Sequence, residues 1–81
     1  MRDMNATTFD LELDVRNLQC PMPLLKAKLA LNSLQAAQVL KVIATDPASE
    51  KDFNLFIQQT DHQILAFEKQ DDTYSYWIRK G

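Results

Sequence analysis

The segment LDVRNLQCPMPLLKAKLALNSL, residues 13–34, decides the fold because a strand pattern changes to a helix pattern within it. Up to Val15 apolar residues alternate with acidic ones, as in a half-buried strand. The alternating apolar positions are Phe9, Leu11, Leu13 and Val15. After Pro21 the apolar residues recur at helical spacing, on one face. This stripe consists of Leu24, Ala27, Leu31 and Leu34. The sequence therefore predicts a strand followed by a helix from about Pro21 to Leu34.

A second strand and a second helix follow. Residues 39–44, VLKVIA, are β-branched and apolar, as expected of a central strand. The next segment, TDPASEKD, predicts the start of a helix. Asp46 or Ser49 is its predicted N-cap, with Pro47 at or just before the first turn.

The last part of the chain predicts the end of this helix and a hairpin. The helix should end near Thr60, and its apolar face is Phe53, Phe56 and Ile57. Residues 63–69 and 73–79 predict two strands joined at the turn Asp71–Asp72. The order is β-α-β-α-β-β, and the first two strands should run parallel through a crossover. The predicted class is α/β, with a four-stranded mixed sheet and two helices on one face.

Length and composition limit the functions that the chain can have. The 81 residues have room for one core, so we expect residues 1–7 to be a flexible leader and residues 8–81 a single domain. A net charge of −2 gives no basic field for stable nucleic-acid binding. One cysteine and one histidine exclude an intrachain disulfide and a structural zinc site. A free thiol, without a signal-peptide pattern or a long apolar run, favours a cytoplasmic protein without membrane contact.

The only cysteine, Cys20, stands directly before two prolines in the motif Cys-Pro-Met-Pro. Proline is tolerated in the first turn of a helix and disfavours helical geometry in the residue before it. The motif therefore predicts the following helix start: Cys20 at the N-cap, Pro21 at N1, Met22 at N2 and Pro23 at N3. The helix dipole and the Met22 amide would then lower the pKa of the thiol, and Cys20 would be a nucleophile or would carry an anionic persulfide. The alternative is a buried, inert cysteine.

Three segments resemble the TusA/SirA/YeeD-type family of small sulfur-carrier proteins: residues 13–34, residues 39–52 and residues 61–81. The resemblance implies a two-layer α/β sandwich. It also implies that Cys20 accepts sulfur as a persulfide from a donor such as a cysteine desulfurase and relays it to an acceptor protein. In one branch of the family the sulfur ends in tRNA thiouridine, and other branches serve molybdenum-cofactor or sulfur-oxidation pathways.

The chain differs from the family pattern at several positions. Asn17, Ala37 and Asp61 stand where the family has glycine, and alanine is the residue among them least suited to left-handed geometry. Met22 stands where the tRNA-pathway member has an acidic residue, which leaves the pathway open. Ile57 stands where some relatives have another cysteine, so the chain has no resolving thiol of its own.

Two basic residues are candidates for anion support or docking, with an ordinary solvated charge as the alternative for each. Arg16 precedes the motif, in the predicted strand-to-helix loop. Lys28 lies eight residues beyond Cys20, about 12 Å along a helix axis, which is too far to pair with the sulfur. Leu25 and Leu29 flank the apolar stripe, which favours packing against the second helix over an exposed docking patch.

Two functions from different classes follow. The first is a sulfur carrier, monomeric when free and needing no cofactor or metal. Its Cys20 takes sulfur from a cysteine desulfurase-like donor and passes it to an acceptor protein, for tRNA thiolation or another pathway. No second nucleophile or paired base accompanies Cys20, so the chain would be a sulfurtransferase-type component without turnover of its own. The alternative is a redox-sensing or regulatory adaptor module that transfers no sulfur.

Overall fold

A computed structural model describes residues 8–81. The predicted leader, residues 1–7, lies outside the described residues. The helices and strands, in chain order, are β1 (Leu11–Val15), α1 (Met22–Asn32), β2 (Val39–Ala44), α2 (Ser49–Gln58), β3 (Gln63–Gln70) and β4 (Thr73–Arg79). The predicted order β-α-β-α-β-β is confirmed, and the predicted boundaries agree within about three residues.

The strands form one mixed sheet in the order β1-β2-β4-β3. β1 and β2 are parallel, with Leu11 opposite Leu40 and Val15 opposite Ala44. β4 is antiparallel to both β2 and β3. Because β1 and β2 are parallel neighbours, their carboxyl ends lie at the same edge of the sheet. The loops that lead into α1 and α2 therefore start side by side.

Both helices cover the same face of the sheet, as predicted. On that face of β2, Leu40, Val42 and Ala44 are fully buried. They share one core with residues of both helices, namely Ala27, Leu31 and Phe53. Leu24 and Leu34 are half-buried against this core, so the predicted apolar stripe of α1 is confirmed.

The centre of the core is a polar and aromatic contact between α2 and β4. The rings of Phe53 and Tyr76 are stacked, with 4.6 Å between centroids. The Tyr76 hydroxyl forms a 2.8 Å hydrogen bond with the hydroxyl of Ser49, which is buried at the start of α2. Burial of the phenol raises the pKa of Tyr76 to about 12. The hydrogen bond lets both hydroxyls stay buried with a partner.

The predicted apolar face of β1 is buried at one end only. Val15 is fully buried and Leu13 half-buried, but Leu11 is 37% exposed and Phe9, before the strand, is 41% exposed. The physical reason is that β1 is an edge strand with a neighbour on one side only. The Lys41 ammonium lies 5.4 Å from the centroid of the Phe9 ring and partly covers it.

The predicted N-cap of α2 was wrong. The N-cap is Ala48, not Asp46 or Ser49, and no side chain caps the helix from that position. Asp46 lies two residues before the N-cap, and its Oδ1 accepts a 3.2 Å hydrogen bond from the Ala48 amide. The Asp46 carbonyl accepts the Ser49 amide at 3.0 Å. Ser49 is unavailable as a cap because its hydroxyl is buried against Tyr76.

Two of the three positions at which the family has glycine have left-handed backbone. The φ angles are 69° at Asn17 and 74° at Ala37. Asp61 is not among the positive-φ residues, so only the first two positions require this geometry. With this left-handed geometry, the Ala37 amide donates a 2.8 Å hydrogen bond to the Lys80 carbonyl. This bond ties the end of the α1–β2 loop to the end of β4.

Replacing Ala37 with glycine should raise the free energy of unfolding by about 1 kcal/mol. Glycine removes the clash of Cβ at φ 74°, and this gain exceeds its larger backbone entropy in the unfolded chain. Urea titration of both proteins measures the difference. Ala36→Gly is the matched control, because it makes the same change in the same turn at a residue without positive φ and should lose stability. A less stable Ala37→Gly protein would contradict the strain argument.

Candidate functional site

Cys20 lies in a tight turn between β1 and α1, and its side chain is exposed. The Met22 amide donates to the Gln19 carbonyl at 2.9 Å and closes this turn. The peptide bond between Cys20 and Pro21 is cis. The alternative of a buried cysteine is therefore wrong, whereas the expected accessible position beside the helix is confirmed.

The predicted register of the helix start was wrong by one residue. The N-cap is Pro21, so Met22 is N1 and Pro23 is N2. No side chain forms a capping hydrogen bond, and Cys20 lies one residue outside the helix. The Met22 amide cannot bind the sulfur because the Gln19 carbonyl already accepts from it. Pro23 is buried, which the sequence pattern did not predict.

The partner of the sulfur is a carboxylate on the second helix. The Cys20 Sγ donates a hydrogen bond to Oδ2 of Asp52 over 3.1 Å. Asp52 lies in the first turn of α2, 32 residues further along the chain. A thiol can form this contact as a donor only while it keeps its proton.

The expectation of an acidic thiol is contradicted. The hydrogen bond to Asp52 raises the pKa of Cys20, and desolvation and the charges of Asp52 and Asp46 act in the same direction. Because the folded pKa lies above the unfolded one, this contribution to stability is present below the unfolded pKa and is lost as pH rises through the folded one. The groups that act on the sulfur at this position are thus carboxylates, and no amide of α1 binds it.

Asp46 joins the two loops at the site. Its Oδ2 accepts a 2.9 Å hydrogen bond from the Cys20 amide, while its Oδ1 binds the Ala48 amide. The turn that carries the thiol is thereby fixed to the start of α2. A cleft of about 550 Å³ opens beside it, lined by Asn17, Leu18, Gln19, Cys20, Thr45, Asp46 and Pro47. The sulfur is thus accessible from an open, mostly polar cleft.

Arg16 and Lys28, the predicted supporting cations, contact other groups. Arg16 donates three hydrogen bonds to the Asp14 carboxylate, two from its side chain at 3.0 and 2.8 Å and one from its amide at 3.0 Å, and these lower the pKa of Asp14 to about 2. The Lys28 ammonium lies 5.3 Å from the centroid of the Phe56 ring. Neither residue forms a hydrogen bond with Cys20. Their roles in docking stay predictions.

The apolar side chains of α1 near the thiol face solvent. Met22 is 41% exposed, Leu25 44% and Leu29 69%. The expected packing of Leu25 and Leu29 against α2 is therefore wrong. Leu24 and Lys28 are the α1 residues that line a shallow groove toward the second helix, and its other side is formed by Asp52, Leu55, Phe56 and Gln59. The outward leucines form an apolar surface on the helix that starts beside Cys20.

Sequence analysis missed Asp52 and the bridging role of Asp46. Both carboxylates were visible only as acids at the start of a helix, where acids are common for electrostatic reasons. Their contacts with Cys20 span 32 and 26 residues and depend on how α2 packs beside α1. The one available signal was the parallel order of β1 and β2, which brings the following loops together.

Within residues 8–81, no three His, Cys, Asp or Glu side chains are grouped so that they could hold a metal ion. Over the same residues, neither helix is long and apolar enough to cross a membrane.

The fold and the site define a small α/β protein with one accessible thiol at a strand-to-helix turn. The sequence model of the family described as sulfurtransferase TusA matches residues 11–80, and the chain belongs to this family. The resemblance found in the sequence is thereby confirmed.

Individual relatives match over nearly the whole chain. The sulfur carrier protein TusA of Allochromatium vinosum is 44% identical over 73 residues, covering 90% of this chain and 96% of the relative. The sulfur carrier protein TusA of Pseudomonas syringae is 40% identical over 73 residues, covering 90% and 87% respectively. The crystal structure of a SirA-like protein from Desulfitobacterium hafniense has the same fold, with a TM-score of 0.77 and 24% identity over 89% of this chain and 99% of that one.

Alkylation of Cys20 should increase at a higher pH than alkylation of cysteine in a short peptide, because Asp52 stabilises the protonated thiol. The rate of reaction with iodoacetamide, measured from about pH 6 to 10, gives the profile. The urea-unfolded chain is the control and should behave like the peptide, since Cys20 is the only thiol. A folded profile at or below the peptide's pH range would show that the helix dipole governs the sulfur.

Asp46→Ala should lower the free energy of unfolding by about 1 to 3 kcal/mol, because two backbone amides lose a charged acceptor. Urea titration measures the loss. Asp72→Ala, at the exposed turn of the hairpin, is the control and should change stability by less than about 0.5 kcal/mol. Equal effects of the two substitutions would mean that water replaces the Asp46 contacts without cost.

Proposed function

We propose that this protein is a sulfur carrier that binds sulfur as a persulfide on Cys20. In the loading step, the Cys20 sulfur attacks the terminal sulfur of a persulfide on a donor such as a cysteine desulfurase. A bond forms between Sγ and that sulfur, the S–S bond of the donor breaks, and the donor thiolate leaves and takes up the proton lost by Cys20. One thiol and one persulfide react to give one thiol and one persulfide, so the step needs no oxidant.

The observation that carries the proposal is the accessibility of the one thiol. Cys20 is the only cysteine of the chain and lies exposed at an open cleft. An added sulfur atom has room there without repacking of the core. The relatives named as sulfur carrier proteins support the same role.

In the release step, an acceptor thiolate attacks the terminal sulfur, and Cys20 leaves as the thiol after protonation.

The partners are a donor protein, which presents a persulfide to Cys20, and an acceptor protein, which presents a thiol. The exposed side chains of Met22, Leu25 and Leu29 supply apolar surface beside the thiol, where a protein partner can exclude water from the reacting sulfurs. We assign Lys28 to the rim of this surface as a steering charge, because it lies on the same helix and pairs with no carboxylate among residues 8–81. The end product of the sulfur, tRNA thiouridine or another compound, depends on the acceptor.

The competing function is a redox sensor. Sensor cysteines are accessible, as Cys20 is, but they also have a low pKa that makes the thiolate available to oxidants. The hydrogen bond to Asp52 acts in the opposite direction. The site therefore favours a carrier, which reacts inside a complex with its partner, over a sensor that must react in free solution. We place the carrier in the cytoplasm, where a free thiol stays reduced.

Incubation with a cysteine desulfurase and cysteine should add one sulfur atom to the protein, seen by intact mass spectrometry and lost on reduction. Cys20→Ser is the control and should stay unmodified while keeping the fold, because a serine hydroxyl can also donate to Asp52. Leu29→Ser should slow loading without changing the alkylation of free Cys20, since Leu29 is 69% exposed. A wild-type protein that takes no sulfur from any desulfurase would exclude the carrier function.

A further inference from the structure

The contact between Cys20 and Asp52 places a full negative charge against the atom that has to carry sulfur. The distance from Sγ to Oδ2 is 3.1 Å, and Asp52 is held by the first turn of α2. Among residues 8–81 no cation forms an ion pair with Asp52. The carboxylate is therefore not neutralised by a neighbour, although Lys28 lines the same groove.

The geometry points to Asp52 as a latch on the carrier: its carboxylate holds the proton on Cys20 and slows sulfur transfer while the protein is free. This inference rests on the proposed function, since it concerns the rate of that reaction. It adds a residue on α2, far from the Cys-Pro-Met-Pro motif in sequence, to the transfer of sulfur.

The latch acts on loading because the nucleophile is the thiolate. A thiol that donates to a carboxylate must give up this hydrogen bond and become an anion beside another anion. At neutral pH the fraction of Cys20 that is thiolate, and so able to attack a persulfide, is then smaller than it would be without Asp52. The free carrier is for the same reason protected from oxidants and electrophiles.

The latch acts on release in the same direction. When an acceptor thiolate takes the terminal sulfur, the bond between that sulfur and Sγ breaks and the electron pair stays on Sγ. A leaving thiolate departs more slowly when its conjugate acid is weaker. Here the pair develops next to Asp52, with Asp46 close by, so loss of sulfur from the free carrier is slowed as well. The protein keeps its cargo until a partner changes the surroundings of Asp52.

A merely structural role for Asp52 can be distinguished, because the same turn holds a second acid. Asp52 and Glu50 are both in the first turn of α2, where acids stabilise a helix. Glu50 is exposed, and its side chain does not contact Cys20. Glu50→Gln therefore removes the same charge from the same turn and leaves the sulfur contact intact, which makes it the matched control for Asp52→Asn.

The test compares the wild type, Asp52→Asn, Asp52→Glu and Glu50→Gln in two assays. In the first, free Cys20 reacts with the neutral reagent iodoacetamide across the pH range, with no partner present. Asp52→Asn should react about two- to threefold faster at neutral pH, with its profile moved to lower pH. Asp52→Glu should restore the wild-type profile, and Glu50→Gln should not differ from the wild type.

In the second assay each protein is loaded by a cysteine desulfurase, freed from it, and treated with cyanide. Cyanide takes the terminal sulfur as thiocyanate and leaves Cys20 as a thiolate. Asp52→Asn should release thiocyanate faster than Glu50→Gln and the wild type. Equal alkylation of Asp52→Asn and the wild type, or equal acceleration by Glu50→Gln, would overturn the latch even where loading is normal. A wild type that takes no sulfur would overturn the proposed function, and with it the role of the latch in transfer.

Discussion

The parallel pairing of β1 with β2 is the constraint on which the site depends. It places the carboxyl ends of β1 and β2, at Val15 and Ala44, side by side. The loops that lead to α1 and α2 therefore leave the sheet at one edge. One loop supplies Cys20 and the other supplies Asp46, whose carboxylate binds an amide in each loop. The position of the sulfur is therefore set by the sheet and by the start of α2, and only indirectly by α1.

The charge balance at the sulfur follows from distance. A helix N-terminus is equivalent to about half a positive charge, spread over the free amides of the first turn. Two of these positions are the prolines Pro21 and Pro23, which have no amide hydrogen, and the Met22 amide is bound to Gln19. Asp52, in contrast, brings a whole charge to 3.1 Å from Sγ. The contact with this carboxylate raises the pKa of Cys20.

The sequence predicted what local patterns determine. The period of the apolar residues predicted the helices and strands in the right order, and the prolines marked the start of α1 to within one residue. The position of Cys20 in an exposed turn followed from the same local rule. What the sequence did not reveal are contacts between segments, because the sulfur–Asp52 pair depends on the packing of α2 beside the loop. The predicted lowering of the Cys20 pKa was wrong for this reason. The helix dipole can be predicted from one segment, whereas a contact with a carboxylate 32 residues away cannot.

At Ala37, too, a local property of the chain and a contact between distant segments have opposite effects on stability. Its φ of 74° is unfavourable for alanine, yet it allows the Ala37 amide to reach the Lys80 carbonyl. The Lys80 amide in turn donates to the Gln38 carbonyl at 2.8 Å, and the Lys80 ammonium binds the Leu34 carbonyl at 2.6 Å near the end of α1. These hydrogen bonds close the α1–β2 loop against the end of β4 and offset the local strain. The strained position lies after the carboxyl end of α1 and Cys20 lies before its amino end, so the chain can carry the strain without disturbing the geometry of the sulfur.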